Sequence, residues 1–217
     1  MNAHRSSRRA SGFNLTELLV VIGVVAFMAA MVIPALLAAH HGEKRIFCVV
    51  HLKEIGIALR SEGNEDPMQV VLTNNETMKQ VTNGSAYLLW QRLSNRLSSP
   101  TNVYCLADAR RKAALSFSQD FSDANISYFF NLDAPATYPQ LILAGDRNVS
   151  IAARPGLLTV SSNSVVGWTR IELHRGVGNL LMADGSCQQV TSNGLNRAFA
   201  EAFSASTNIA SAHLVIP

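Results

Sequence analysis

The sequence predicts an α+β chain in which one long N-terminal helix packs its second half against a small antiparallel sheet. Three observations predict it. The stretch Leu18 to Ala39 is apolar and holds no charged residue. Apolar residues continue at helical spacing from there to about residue 61. Beyond that, short β-branched and aromatic runs alternate with turn residues and end in an Asp-Gly pair. The 217 residues, 48% hydrophobic and 15% charged, suit one domain with an accessory segment.

Residues 1–12 form a basic leader. Arg5, Arg8 and Arg9 stand there without an acid, and the whole chain has net charge +3, so the remainder carries 3 − 3 = 0. A basic leader before an apolar run is a topology signal, since Lys and Arg stay on the cytoplasmic side. With that charge removed, nothing in the composition favours nucleic acid, and basic side chains do not cluster with aromatics. Arg110-Arg111-Lys112 reads as a short solvated charge run.

Residues 13–61 read as one helix of about 74 Å at 1.5 Å per residue. Its part from about 15 to 39 is transmembrane in character. Twenty-two residues at that rise span roughly 33 Å, enough for a hydrocarbon core. A secretory signal has a shorter apolar stretch followed by a small-residue cleavage site. Here the helix-forming residues run on past Ala35, and the small pair Ser11-Gly12 lies before the apolar run. Two residues break the pattern. Glu17 places a carboxylate where burial in lipid costs about 2.5–3.5 kcal/mol at the helix centre, and such acids are normally functional. Pro34 lacks a backbone N–H and tends to kink a helix. Gly23, Ala26, Ala29 and Ala30 permit close approach of another helix. From Glu43 onward Ile46, Val49, Val50, Leu52, Ile55 and Leu59 form an apolar stripe among charges. Gly63-Asn64 and Pro67 predict the end.

Residues 62–217 read as an α+β head. Gly84 to Arg96 predicts a short helix capped by Asn83 or Ser85. Asn102 to Leu106, Ile126 to Phe130 and Leu141 to Ala144 predict strands, with loops at 120–125 and 131–139. Residues 176–190 predict a hairpin around Asp184-Gly185, expected as a type I′ turn. A helix over Leu195 to Phe203 closes the head. Cys48, Cys105 and Cys187 allow one disulfide in an exported domain, and sequence does not choose among the three pairings. A Cys48–Cys105 bond would staple the helix to a strand.

The run Gly12-Phe13-Asn14-Leu15-Thr16-Glu17 before a long apolar stretch resembles the leader of type IV prepilins and type II secretion pseudopilins. The resemblance implies that a membrane aspartyl prepilin peptidase cuts between Gly12 and Phe13 and N-methylates Phe13. Glu17 becomes the fifth residue of the mature chain and pairs with the new amine of an adjacent subunit, and Pro34 matches the kink proline. Cys48-Val-Val-His-Leu-Lys-Glu-Ile-Gly56 resembles a helix of a pseudopilin-like group abundant in planctomycetes and verrucomicrobia, with His51 and Glu54 in place of Asn and Gln. His174, nine residues and Asp184-Gly185 match that group's H-X9-DG signature. Tyr104-Cys105 with Asp108 resembles its Cys-Pro-x-Asp segment, with Leu106 where proline is usual, and Ser127-Tyr128 with Asn131 its Ser-Tyr-x-x-Asn strand.

These likenesses imply a pilin-like fold and a non-enzymatic subunit of a pseudopilus or type IV pilus-like filament. Its partners would be the peptidase, other pilin subunits and an inner-membrane assembly platform. It would sit single-pass in the inner membrane with its N-terminus cytoplasmic and its head periplasmic. The competing expectation is an anchored periplasmic binding module that never polymerises. No P-loop, dinucleotide fingerprint, nucleophile elbow, CxxC or HExxH appears. His174 with Asp184 is the best remaining constellation: a metal pair, a hydrogen-bonded structural pair or two unrelated residues. Hairpin geometry favours the structural pair, with an imidazole N–H donating to a carbonyl or carboxylate. No cofactor is expected. Asp120, Asp123 and Asn125 have the spacing of calcium-ligating oxygens, but no complete calcium loop follows.

Overall fold

The computed structural model describes residues 14–60, 75–118, 120–134, 138–151, 155–205 and 209–217, with backbone alone at 38–43 and 75–78. Contacts divide the chain into two units, Met1–Glu43 and Lys44–Pro217. Helix α1 runs Leu15–Arg60. The helix end expected at Gly63-Asn64 and Pro67, like the leader, lies outside the described residues.

In the first unit, α1 starts at a sequence-encoded cap. The Asn14 side chain accepts from the Thr16 N–H at 3.4 Å, and Glu17 reaches back to the Asn14 N–H at 3.1 Å. The Glu17 bond is one half of a capping box, while the Asn14 side chain caps the N2 rather than the N3 N–H. Leu15–Leu37 is 23 residues long with mean hydropathy 2.7, apolar and long enough to cross a membrane. Its large side chains, from Leu18 to Leu37, are exposed on every side.

The second unit is α+β. Strands β1 Tyr128–Asn131, β2 Ile142–Asp146, β3 Gly156–Ser161, β4 Val177–Met182, β5 Cys187–Thr191 and β6 Ser211–Ile216 form one sheet ordered β3-β6-β1-β2-β4-β5. Every pairing is antiparallel. Strand side chains alternate between faces. Tyr128, Phe130, Leu143, Leu181 and Val215 join Cys48, Leu52, Ile55 and Leu59 of α1 in one core. Phe129, Ile142, Leu180 and Leu214 join Leu195 and Phe199 of α4 (Ser192–Ala205) in the other. Helices on both faces explain why β1 and β2 are buried along their whole length. Gly56 lets α1 approach β4 closely, because a Cβ there would sit 3.0 Å from the Leu181 side chain.

Three local expectations are corrected. Asn102 to Leu106 is not a strand: Pro100–Val103 is a 3-10 turn, started by Pro100 and by the Ser99 hydroxyl, which accepts from the Thr101 N–H at 3.2 Å. The short helix is α3, Tyr87–Arg92, following α2, Asn75–Thr82. Its cap is neither Asn83 nor Ser85; Asp123 reaches across to accept from the Tyr87 N–H at 2.6 Å. The hairpin forms, with Val177 opposite Thr191 and Leu181 opposite Cys187. Its turn is not type I′, which needs positive φ at two residues. Gly185 alone is left-handed, at φ 81, and the Met182 N–H donates to the Ser186 carbonyl, giving a three-residue loop. Strands β3 and β6 are not among the expected strands, although Leu157 to Val160 lies between Pro155-Gly156 and a Ser/Asn cluster.

Candidate functional site

Gly12 and Phe13 lie outside the described residues. Glu17 is exposed and bonded to its own helix start, as above. Pro34 lies inside α1. Gly23 is open, with nothing within 4 Å of a methyl built on it.

In the head, the chemistry-bearing side chains meet where the C-terminal part of α1 faces the sheet. Cys48 and Cys105 form a disulfide across 57 residues of sequence. His51, one turn along the helix from Cys48, has its Nδ1 3.0 Å from the Tyr104 carbonyl oxygen, a second tie to the same segment. His174 lies against this bridge, with its Nε2 3.5 Å from Cys105 Sγ and 3.6 Å from Asp146 Oδ2. The three side chains Cys48, Cys105 and His174 are all buried, and their donor atoms lie within 4.8 Å of one another.

His174 and Asp184 do not form a pair. His174 is 3% exposed, and its carboxylate neighbour is Asp146, at the end of β2. Asp184 is exposed at the hairpin tip, where its Oδ1 accepts from the Ser186 N–H at 2.7 Å. The reason is local. Leu173 at φ 44, Arg175 at φ 56 and Gly176 at φ 86 form a left-handed loop that turns the imidazole inward before β4 begins. Such φ values are unusual for non-glycine residues and need surrounding structure to hold them. Arg45 supplies part of it, donating to the His174 carbonyl oxygen at 3.3 Å.

Burial governs the charge states here. Asp146 accepts from the Asn179 N–H at 2.7 Å and the Asn179 side-chain amide at 3.1 Å, both through Oδ2. Its Oδ1 has no partner. Desolvation pushes this carboxyl up to about 7, with Asp108 adding to the rise and the Asn179 bonds opposing it. Desolvation also pulls His174 down to about 4, aided by Arg45. At 3.6 Å the two are within ion-pair range, yet between about 4 and 7 both are neutral.

A second, charged cluster lies beside it. Arg147 grips Asp108 with one edge of its guanidinium, Nε to Oδ2 at 2.7 Å and Nη2 to Oδ1 at 2.8 Å. Its Nη1 donates to Glu172 at 3.1 Å, and Arg110 contacts the other Glu172 oxygen at 2.5 Å. Burial pulls the Arg147 pKa down, but these two acids outweigh it and hold the group above its ordinary value. A bidentate pair fixes geometry as well as energy. It therefore ties the segment after Cys105 to the end of β2.

Two of the three candidate calcium ligands are engaged locally, while Asp120 is exposed. Asp123 caps α3, and Asn125 accepts from the Ser122 N–H at 2.9 Å while donating to the Lys112 carbonyl at 3.0 Å. Cys187 stays a free thiol, pushed up to about 11 mainly by burial, which makes it a poor nucleophile.

Sequence reading missed Asp146, Arg147 and Glu172. The signal for the first two was present: an Asp-Arg pair directly after the apolar run Leu141 to Ala144. Asp108 was visible only through its place after Cys105. No family model, curated protein or solved structure matches the chain.

Proposed function

We propose that the chain is a prepilin-like structural subunit, cut and N-methylated at Phe13 by a prepilin peptidase, which assembles into a type II secretion pseudopilus or a type IV pilus-like filament. The observation that carries this reading is the first stretch of α1. Its 23 apolar residues are exposed on all sides, so the chain itself offers them no partner among the described residues. Lipid before assembly, and the same helix of neighbouring copies after it, would cover them. The run Gly12 to Glu17 at its start supports processing at that point. On this reading the helix holds the subunit in the inner membrane with its head in the periplasm, and the fold is pilin-like. The platform proteins, the peptidase and other subunits are its partners, and no chemistry is catalysed.

Glu17 has two roles in this account. In the isolated chain it caps its own helix. In the filament it turns to the Phe13 amine of the neighbour, which sets the axial register. Cysteines placed singly along residues 15–37 test the reading. Polymerising subunits crosslink through this stretch, and Glu17→Ala lowers the yield while Gly12–Phe13 cleavage continues. An anchored binding module would be processed or retained in the membrane without such crosslinks.

A further inference from the structure

The Cys48–Cys105 bridge has more chemistry around it than a staple needs. Cys48 sits on α1, Cys105 just past the 3-10 turn Pro100–Val103, His174 in the left-handed loop before β4, and Asp146 at the end of β2. Cys48, Cys105 and Asp146 are fully buried, and His174 is 3% exposed. Four separate segments thus bring two sulfurs, an imidazole and a carboxylate to one place. Among the described residues, Asp146 Oδ1 has no hydrogen-bond partner, although buried polar atoms are nearly always bonded. An imidazole packed on a disulfide does not account for that oxygen.

The spacing fits a metal ion. The donor atoms of Cys48, Cys105 and His174 lie within 4.8 Å of one another. A tetrahedral zinc ion takes sulfur at about 2.3 Å and imidazole nitrogen or carboxylate oxygen at about 2.0–2.2 Å. Its nitrogen–sulfur edge is therefore about 3.6 Å and its nitrogen–oxygen edge about 3.4 Å. Here His174 Nε2 stands 3.5 Å from Cys105 Sγ and 3.6 Å from Asp146 Oδ2. The closed disulfide alone opposes ligation, because the thiolate is the form of cysteine that binds metal. Two thiolates with an imidazole and a carboxylate suit zinc, whereas calcium and magnesium take oxygen ligands. Such a centre carries one net negative charge. The Arg45 guanidinium, which donates to the His174 carbonyl oxygen at 3.3 Å, offsets it.

We propose that the head, while Cys48 and Cys105 are still thiols, binds one zinc ion through Cys48 Sγ, Cys105 Sγ, His174 Nε2 and the Asp146 carboxylate, and that closing the disulfide expels it. Binding releases the two thiol protons. In the closing step the two thiolates give two electrons to a disulfide oxidant. The Cys48–Cys105 bond forms, the oxidant's sulfur–sulfur bond breaks, its sulfurs leave as two thiolates, and the zinc ion departs. Metal and disulfide thus tie α1 to the same segment in alternative states. Since the donors are buried, the metal enters as the reduced head folds. The site goes beyond the filament reading and does not depend on it.

The test uses the full chain in detergent micelles, unfolded in urea with a phosphine reductant and refolded by dilution with zinc. The phosphorus takes oxygen from water, and the two hydrogens go to the sulfurs. Atomic emission after gel filtration counts zinc per chain, and cobalt(II) in its place reports thiolate ligation by charge-transfer absorption. The reduced chain retains one zinc and gives that absorption; the oxidised chain, treated alike without reductant, retains none. Cys187→Ser, outside the cluster, leaves both results unchanged. His174→Gln weakens zinc by about 100-fold or more in competition with a chromophoric chelator, and Asp146→Asn by about 10- to 100-fold. Asp146→Asn spares both sulfurs and the imidazole, so it keeps the test alive should His174→Gln not fold. Absence of stoichiometric zinc on the reduced chain overturns the proposal. So does zinc on the oxidised chain, its loss in Cys187→Ser, or undiminished affinity in the folded variants.

Discussion

Two stretches of one helix, Leu15–Leu37 and residues 44–60, meet different surroundings. The first exposes its large side chains all round. The second buries Cys48, Leu52, Ile55 and Leu59 on one side while Ile46 and Ile57 stay outside. Helix propensity does not separate them; the distribution of apolar residues does. An all-round apolar helix needs an apolar medium or other copies, whereas a striped one needs a single packed face. Among the described residues the second stretch has a packed face in the core of the head, and the first has none.

The largest break in this contrast comes from the staple. Removing the disulfide with Cys105→Ser is expected to cost the head about 4 kcal/mol, from the entropy of a closed loop of this size. Urea unfolding followed by near-ultraviolet circular dichroism reads it. Phe27→Ala, in the first stretch, should leave the same transition within about 0.5 kcal/mol. A comparable loss from Phe27→Ala would mean that the two stretches share one core. Next in size is Gly56→Val, which drives new methyls into the Leu181 side chain and should cost about 1–3 kcal/mol. An unchanged midpoint would show that α1 does not approach β4 as closely as described.

Much of this was legible in the sequence because it follows from periodicity. The long helix shows in the spacing of its apolar residues, β1 and β2 in their β-branched and aromatic runs, and the hairpin in Asp184-Gly185. The parts that were not legible depend on contacts distant in sequence. Strand β6 has the apolar run Leu214-Val215-Ile216 before Pro217, but nothing local says that it inserts between β3 and β1. His174 could be assigned to Asp184 by spacing alone; the left-handed residues Leu173 and Arg175, which turn it toward Asp146, have no side-chain signature. The Arg147 clamp on Asp108 joins residues 39 apart. Arg111 looked like surface because its run is charged, but it is half-buried and donates to Pro217, just past β6.

In the unaltered head the smallest change expected is the pH dependence of the neutral pair, because its two legs cancel. Between its ordinary 3.8 and about 7, native Asp146 binds more protons than the unfolded chain does, so its contribution falls as pH rises through that window. Between about 4 and 6.5, native His174 binds fewer protons than the unfolded chain, so its contribution rises with pH. The slopes oppose one another, and the pair leaves the unaltered head nearly flat from about 4 to 6.5. Asp146→Asn unmasks the rising leg, at up to about 1.4 kcal/mol per pH unit. His174→Gln unmasks the falling leg. Denaturant midpoints across that range check both, and identical slopes in all three proteins would contradict the pairing.

The most direct test of the account lies at the start of the apolar stretch. The chain is expressed in a cell carrying a prepilin peptidase, and the N-terminal peptide from its membrane fraction is weighed. A processed subunit begins at Phe13 and carries one added methyl on its amine. A chain that still begins at Met1, or one cut beyond Ala39 so that the apolar stretch is lost, would contradict it.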